Sequence, residues 1–298
     1  MHLFAHGGAG SATDHPGPRQ RALEAAATAG SDVQSPVSAV VAAVRTLESD
    51  PQFNAGVGGA VQSDGRVRTD AGLMTADPSG GDAVGAACAM PGVEHAVDVA
   101  RLVATETPHV LLAGDRAVAF ARAEGVAVDR DLRTERTRER WRSLDPPPAD
   151  DLAAQLSWVH DRFGDGPARA DATDHDTVGA VATDGEHLAA ATSTGGRWCA
   201  LAGRVGDVPQ VGSGFFASAA GAASATGAGE AIARRNLARR TVELLEAGRS
   251  PDAAAASAID DLEAATGEGA GVIAVDRSGE RGSSSNTEAM QTAASTVA

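Results

Sequence analysis

A threonine at position 177 stands where a polar, turn-prone run meets a short apolar segment. Residues 166–175 are rich in alanine and aspartate and begin with Gly-Pro, and residues 177–182 have the pattern of a strand. A cut between Asp176 and Thr177 would make Thr177 an N-terminal residue. Such a residue carries a hydroxyl nucleophile and an α-amine whose pKa, about 8, suits a general base at neutral pH. We therefore expect the Thr177 hydroxyl to attack the carbonyl of Asp176, form an ester and release its own amine.

The competing interpretation of Thr177 is structural. Threonine favours strands, and a threonine that opens a strand most often has no chemical role. The two interpretations differ in whether the remaining chain supplies partners for the hydroxyl.

The elements around Thr177 are predicted as strands in hairpins and helices in pairs. The strand over 177–182 pairs with one over 188–192 through the turn Asp184-Gly185. Other strands are predicted over 1–6, 61–69, 82–90, 109–113 and 271–275, and helices over 19–28, 36–47, 97–105, 117–123, 228–247 and 251–266. This order favours α/β layers with antiparallel pairing over a repeated strand–helix–strand winding.

The segment before the expected cut has a different character. From 129 to 176, arginine and glutamate alternate and three prolines follow one another at 146–148. Little sustained apolar face is present, which is typical of a mobile linker.

The charge of the chain limits its partners. The 298 residues carry a formal net charge of −15, which argues against nucleic acid or an anionic membrane as partner. All basic residues are arginine, and lysine is absent. An acidic chain without lysine is expected of a protein kept soluble in strong salt, where screening removes self-repulsion. Codon bias in a GC-rich genome is the alternative explanation.

Other familiar sites are not supported by the sequence. Residues 227–232 begin like a dinucleotide fingerprint, but Ile232 stands where the third glycine belongs. The two cysteines and the scattered histidines do not have the spacing of a zinc site, and we expect buried free thiols. Without a signal peptide or a long apolar run, the protein is expected to be cytoplasmic.

Six short motifs occur in an order that resembles a known family. They are Gly7-Gly8-Ala9-Gly10, Phe53-Asn54-Ala55-Gly56, His175-Asp176-Thr177-Val178-Gly179-Ala180-Val181, Ala190-Ala191-Thr192-Ser193-Thr194-Gly195-Gly196, Gly203-Arg204-Val205-Gly206-Asp207 and Asn286-Thr287-Glu288. Together they resemble the plant-type L-asparaginase / isoaspartyl peptidase family of N-terminal-nucleophile hydrolases. The resemblance implies a four-layer αββα sandwich. It also implies one domain over 1–298, cut into an α-chain (1–176) and a β-chain (177–298), with two αβ units pairing.

The resemblance assigns roles around the nucleophile Thr177. Thr192 and Thr194 supply hydroxyls on alternate positions of one strand, and Thr194 helps to set the protonation of Thr177. Arg204 holds the substrate α-carboxylate and Asp207 its α-ammonium. Alternatively, Arg204 and Asp207 simply pair with each other at the surface.

Further roles in the resemblance fall on glycines, Asn54 and a loop. Thr226 and Gly227 form an oxyanion hole ahead of a long helix, Gly229 contacts substrate, and Asn54 lies near the nucleophile. Close helix packing is the alternative explanation of the glycines. No organic cofactor or catalytic metal is implied. The resemblance also implies a sodium ion in the loop over 47–57, bound by the backbone carbonyls of Leu47, Glu48, Phe53, Ala55 and Val57.

Two stretches depart from the family pattern. Asp176 precedes the nucleophile where asparaginases of this type usually have glycine, and residues 197–201 differ from the usual stretch. The expected activity is hydrolysis of the side-chain amide of L-asparagine, of β-aspartyl peptides, or of both. A glycosylasparaginase-like amidase is the alternative that Asp176 suggests. An uncleaved amino-acid-binding protein that uses Arg204 and Asp207 for recognition is the alternative from another class.

Overall fold

A computed structural model describes residues 1–12, 16–163 and 177–296, which form nine helices and eleven strands. The strands are β1 (His2–Gly10), β2 (Arg68–Ala76), β3 (Val84–Pro91), β4 (Leu111–Ala113), β5 (Val178–Thr183), β6 (Leu188–Thr194), β7 (Phe215–Ser218), β8 (Gly221–Gly227), β9 (Ala270–Asp276), β10 (Arg281–Ser285) and β11 (Ala289–Thr296). The helices are α1 (Pro16–Ser31), α2 (Pro36–Glu48), α3 (Ala96–Glu106), α4 (Gly114–Ala123), α5 (Glu135–Arg142), α6 (Leu152–Phe163), α7 (Gly229–Arg235), α8 (Leu237–Glu246) and α9 (Pro251–Thr266).

Two sheets lie face to face between two layers of helices. The larger sheet has the order β11-β1-β5-β6-β2-β3-β4, and the smaller has the order β10-β9-β8-β7. Helices α1 to α4 pack on the outer face of the larger sheet, and α8 and α9 pack on the outer face of the smaller one. All pairings are antiparallel except that of β3 with β4. The predicted αββα sandwich is confirmed.

Alternation along β5 and β6 decides which side chains face the space between the sheets. Ala180 and Ala191 belong to the core beneath the helices, whereas Val181 and Ala190 belong to the core between the sheets. Successive strand residues point to opposite faces. Thr192 and Thr194 therefore share the inter-sheet face with Val181, and so does Thr177 by continuation of β5.

The structure corrects three sequence predictions, which concern one strand, one helix and the linker. The strand expected over 61–69 is reduced to an isolated bridge between Val61 and Val67, and the strand begins at Arg68 instead. The helix expected over 228–247 is broken at Asn236, which has a left-handed backbone with φ of 49°. Asparagine tolerates that conformation better than other non-glycine residues do.

The described part of the segment predicted as a mobile linker, up to Phe163, contains two helices, α5 and α6. The buried Gln155 of α6 accepts a hydrogen bond from the Ser63 hydroxyl at 2.6 Å. The rings of Trp141 and Trp158 meet edge to face with centroids 5.9 Å apart. Aromatic packing and this buried hydrogen bond hold the two helices against the rest of the chain, which the sparse apolar pattern did not indicate.

Both cysteines, Cys88 and Cys199, are buried thiols outside any disulfide, as predicted. Among the described residues, no helix is long and apolar enough to cross a membrane. The candidate site lies between the sheets, where Thr177, directly before β5, lies beside the end of β6 that carries Thr192 and Thr194.

Candidate functional site

Thr177 and Thr194 lie side by side on neighbouring strands. Val178 pairs with Ser193 and Gly179 with Thr192, so the same register continued by one residue places Thr177 opposite Thr194. Thr177 is 6% exposed and therefore almost fully buried. The Thr194 hydroxyl donates to the carbonyl of Asn54 at 3.4 Å, so the loop that carries Asn54 orients the Thr194 side chain.

Asn54 joins the two loops at this end of the sheet. Its side-chain amide donates to the carbonyl of Gly196 at 2.6 Å and accepts from the amide of Ala60 at 2.7 Å. Its own carbonyl accepts from the amide of Gly195 at 2.8 Å. Asn54 therefore fixes the end of β6 that carries Thr194, which agrees with its predicted place near the nucleophile.

Thr192 serves a different network from Thr194. Its hydroxyl donates to the carbonyl of Gly214 at 2.9 Å and lies 2.7 Å from the Ser224 hydroxyl. Ser224 in turn lies 2.8 Å from Nε2 of His6. The sequence predicted both threonines as partners of Thr177, and the structure places only Thr194 directly opposite it.

A buried carboxyl that the sequence did not indicate lies beside Thr194 on the next strand. Asp70 of β2 pairs with Thr194 on the side away from Thr177 and is 2% exposed. One carboxyl oxygen accepts from the amide of Ala89 at 2.7 Å. Burial raises the pKa of Asp70 to about 7, against the opposing effects of the Ala89 amide and the charge of Arg204. The only signal in the sequence is one acid within an otherwise uncharged strand core.

Arg204 is paired with Glu230, the second acid that sequence analysis missed. Nε and Nη2 of Arg204 each donate to one oxygen of Glu230 at 2.8 Å, a bidentate pair. Burial acts to raise the pKa of Glu230, but the hydrogen bonds and charge of Arg204 prevail and lower it to about 2. The alternative in which Arg204 pairs with Asp207 is therefore wrong for the described residues.

Asp207 presents an unused acceptor beside this arginine. The side chain is 4% exposed, and its Oδ2 is buried without a hydrogen-bond partner among the described residues. Burial raises the pKa of Asp207 to about 7, although Arg204 acts to lower it. A buried carboxylate without a donor is costly, so a cationic group placed at Oδ2 would be strongly favoured.

Gly229 gives Arg204 and Asp207 room to approach each other. A Cβ atom at Gly229 would lie 2.7 Å from Nη2 of Arg204 and 2.8 Å from Oδ1 of Asp207. The absence of a side chain is therefore required by close contact with the two charged groups, not by helix packing alone.

Thr226 and Gly227 are the last two residues of β8. The Thr226 hydroxyl oxygen accepts from the amide of Ala9 at 3.2 Å, which connects it to the glycine-rich end of β1. Gly227 has φ of 128°, a conformation that favours glycine. The helix that follows is the seven-residue α7, not the long helix expected, so the helix dipole contributes less here than predicted.

The loop expected to bind sodium is compact. The carbonyl of Glu48 accepts from the amide of Val57 at 2.8 Å, and the carbonyl of Leu47 accepts from the amide of Asp50 at 3.2 Å. The Leu47 carbonyl also accepts from the amide of Ser49, whereas the Glu48 carbonyl oxygen keeps a second lone pair that a cation could use. Within the described ranges, no group of three or more His, Cys, Asp or Glu side chains is placed to hold a metal ion.

Asp176, the other half of the expected cleavage site, lies outside the described residues.

Comparison with known proteins bears on the whole chain. A family model described as Asparaginase matches residues 1–298. A plant-type L-asparaginase of Pyrobaculum calidifontis is 41% identical over 97% of this chain and 94% of its own length. One from Pyrococcus abyssi is 34% identical over 97% of this chain and 94% of its own length. An isoaspartyl peptidase/L-asparaginase of Xenopus laevis is 36% identical over 98% of this chain and 91% of its own length.

Proposed function

Because the chain belongs to the asparaginase family, we propose that it hydrolyses the side-chain amide of L-asparagine, of β-aspartyl peptides, or of both. The observation that carries the proposal is Oδ2 of Asp207, which has no hydrogen-bond partner among the described residues and lies beside Arg204 in the same fold that places Thr177 directly before β5. A buried acid next to a partly buried guanidinium matches the ammonium and carboxylate of an aspartyl group. The names of the relatives, L-asparaginase and isoaspartyl peptidase, support both leaving groups, ammonia and an amine.

Substrate recognition is assigned to the loop that carries Arg204 and Asp207. Asp207 receives the α-ammonium at Oδ2. Glu230 already engages Nε and Nη2 of Arg204, so we assign the α-carboxylate to Nη1. Glu230 then holds the guanidinium plane while the substrate binds its remaining edge.

The chemistry is assigned to Thr177 after a cut at Asp176–Thr177. Its hydroxyl oxygen attacks the β-carbonyl carbon of the substrate, and its α-amine accepts the hydroxyl proton. The Thr226 hydroxyl and the Gly227 amide donate to the developing oxyanion. The amine then returns the proton to the leaving nitrogen, and ammonia or an amine departs. Water attacks the aspartyl ester with the α-amine again as base, which releases aspartate and restores the hydroxyl.

Cleavage is the first test of this assignment. On a denaturing gel, the wild-type chain should separate into two fragments, and sequencing should place Thr177 at the start of the second. Thr177→Ala should remain whole and inactive, whereas Thr173→Ala, a threonine in the preceding run, should cleave normally. A chain that remains whole after long incubation in strong salt would favour the amino-acid-binding protein.

The absence of lysine supplies a second measurement. The primary amines of the chain are the α-amine of Met1 and, after the cut, that of Thr177. An amine-reactive reagent should therefore label the second fragment only at Thr177 and abolish activity in proportion to that labelling. Labelling of Thr177 without loss of activity would contradict its role as base.

Substrate choice is tested by the product released. L-asparagine should give ammonia, and a β-aspartyl dipeptide should give its second amino acid. Release of the sugar amine from N-glycosyl-asparagine, with little activity on the other two, would instead favour the glycosylasparaginase-like amidase that Asp176 suggests.

Two further proposals rest on the family resemblance, and a third concerns location. We propose an (αβ)₂ assembly, for which ultracentrifugation should give twice the mass of one 29.8 kDa chain. We also propose that the loop over 47–57 binds sodium; the Glu48 carbonyl, which accepts from the amide of Val57 and keeps a second lone pair, supports this. Replacing sodium with a large organic cation should lower the melting temperature. Finally, we propose a cytoplasmic location, which fractionation of the source cells would test.

A further inference from the structure

A chain of buried side chains crosses β5 close to Thr177. Nε2 of His6 lies 2.8 Å from the Ser224 hydroxyl, and that hydroxyl lies 2.7 Å from the hydroxyl of Thr192. Thr192 continues the chain to the carbonyl of Gly214 at 2.9 Å. We call His6, Ser224 and Thr192 the relay. All three side chains are 0% exposed, so solvent does not compete for their hydrogen bonds.

The crossing point is Gly179, two residues after Thr177. Gly179 pairs with His6 on one side and with Thr192 on the other. A Cβ atom there would lie 2.5 Å from Nε2 of His6 and would overlap the Ser224 hydroxyl. The lack of a side chain at Gly179 therefore makes room for the relay directly beside the main chain that carries Thr177.

The order of the protons in the relay follows from its last member. A carbonyl only accepts, so Thr192 donates to Gly214. Ser224 then donates to Thr192, and His6 must donate to Ser224 from Nε2. This leaves Nδ1 without a proton.

The His6 ring is neutral in this arrangement. Burial lowers the pKa of His6 to about 3, and the main chain of Thr177, beside the ring, acts in the opposite direction. The relay therefore keeps one proton arrangement across the whole pH range in which the enzyme would work.

We propose that His6 is a positioning residue that acts through the relay to hold the start of β5, and so Thr177, in place for self-cleavage and turnover. His6 belongs to the expected α-chain, whereas Ser224 and Thr192 belong to the expected β-chain. The relay is thus a tie between the two chains that persists after the cut. This inference rests on the proposed function of Thr177.

Two substitutions of His6 separate the relay from simple packing. A glutamine places its amide nitrogen near the position of Nε2, whereas an asparagine places its amide near Nδ1. His6→Gln should keep the bond to Ser224 and retain most self-cleavage. His6→Asn should slow both self-cleavage and kcat by roughly 10- to 100-fold, because a small misplacement of a reacting atom has effects of that size. KM should change little, since Arg204 and Asp207 lie on another loop.

Matched variants complete the experiment. His2→Gln, on the same strand and face but remote from Thr177, should behave like wild type. Ser224→Ala should reproduce the loss seen in His6→Asn, and the double variant should be no worse than the poorer single one, because both break one chain of bonds. If His6→Asn does not fold, Ser224→Ala alone provides the same information.

Several outcomes would overturn the inference. Wild-type cleavage and kcat in His6→Asn and Ser224→Ala would do so, even if melting temperatures fell. Equal losses in His6→Gln and His6→Asn would show that Nε2 is not the relevant atom. A wild-type chain that remains whole would instead overturn the proposed function itself, and this inference with it.

Discussion

Replacement of Asp207 by asparagine tests the assigned binding mode most directly. The substitution preserves the shape of the side chain and removes its charge. In the structure, Oδ2 is buried without a partner, so the carboxylate has an unused strong acceptor in an environment of low dielectric. The neutral amide of Asp207→Asn binds an ammonium much less well.

The size of the effect follows from that contact. A hydrogen bond to a charged group contributes about 1.5–3 kcal/mol, and about 1.4 kcal/mol corresponds to a tenfold change in affinity. We therefore expect KM for L-asparagine to rise roughly 10- to 140-fold in Asp207→Asn, with a smaller change in kcat. Asp115→Asn, an exposed aspartate in the first turn of α4, is the matched control and should leave both constants unchanged.

The pH dependence gives an independent check. Burial raises the pKa of Asp207 to about 7, so the free wild-type enzyme loses its carboxylate as pH falls through about 7. KM of the wild type should then rise toward tenfold per pH unit below about pH 6. Asp207→Asn has no such group, and its KM, although high, should vary little over the same range. A KM of Asp207→Asn equal to that of the wild type would refute the binding mode. The same rise of KM at low pH in both proteins would refute it too.

Three other perturbations follow from the described contacts and charge. Gly229→Ala should raise KM by about tenfold or more, because its Cβ would lie 2.7 Å from Nη2 of Arg204; steady-state kinetics checks this, and an unchanged KM would contradict the contact. Asp70→Asn should raise the melting temperature more at pH 8 than at pH 5, because burial raises the pKa of this carboxyl from 3.8 to about 7, so that its destabilising effect grows between those pH values and is complete at pH 8; equal shifts at both pH values would argue against it. Lowering KCl from roughly 3 M to roughly 0.1 M should lower the melting temperature, because the Debye length grows from less than about 3 Å to about 10 Å and the net charge of −15 repels itself; a calorimetric scan that shows no shift would contradict salt adaptation.

The hairpin of β5 and β6 could be predicted because its signals are local. Asp184-Gly185 is a turn signal between two apolar runs, and strand alternation placed Thr192 and Thr194 on one face. Strands β8 and β10 were not predicted, since GAASATG has a single β-branched residue, Thr226, and RGSSS has no β-branched or aromatic residue. They form because neighbouring strands offer their backbone ladders.

The acids of the site were missed for a different reason. Asp70 meets Thr194 only through pairing of strands far apart in sequence, and no local pattern contains that register. Glu230 follows directly after Gly229, yet its pairing with Arg204 depends on how the start of α7 meets a loop. Sequence reasoning found the residues with familiar motifs. It could not find those whose roles arise from three-dimensional contact.

The packing of α5 and α6 makes this protein a simple subject for fluorescence. The chain has three tryptophans and no tyrosine. Trp198 is part of one buried cluster, and Trp141 and Trp158 pack against it. Intrinsic emission therefore comes almost entirely from one corner of the molecule, where helices that precede the expected cut contact the segment leading to Arg204. A change in emission on adding aspartate, or during self-cleavage, would report on that corner alone, without any introduced dye.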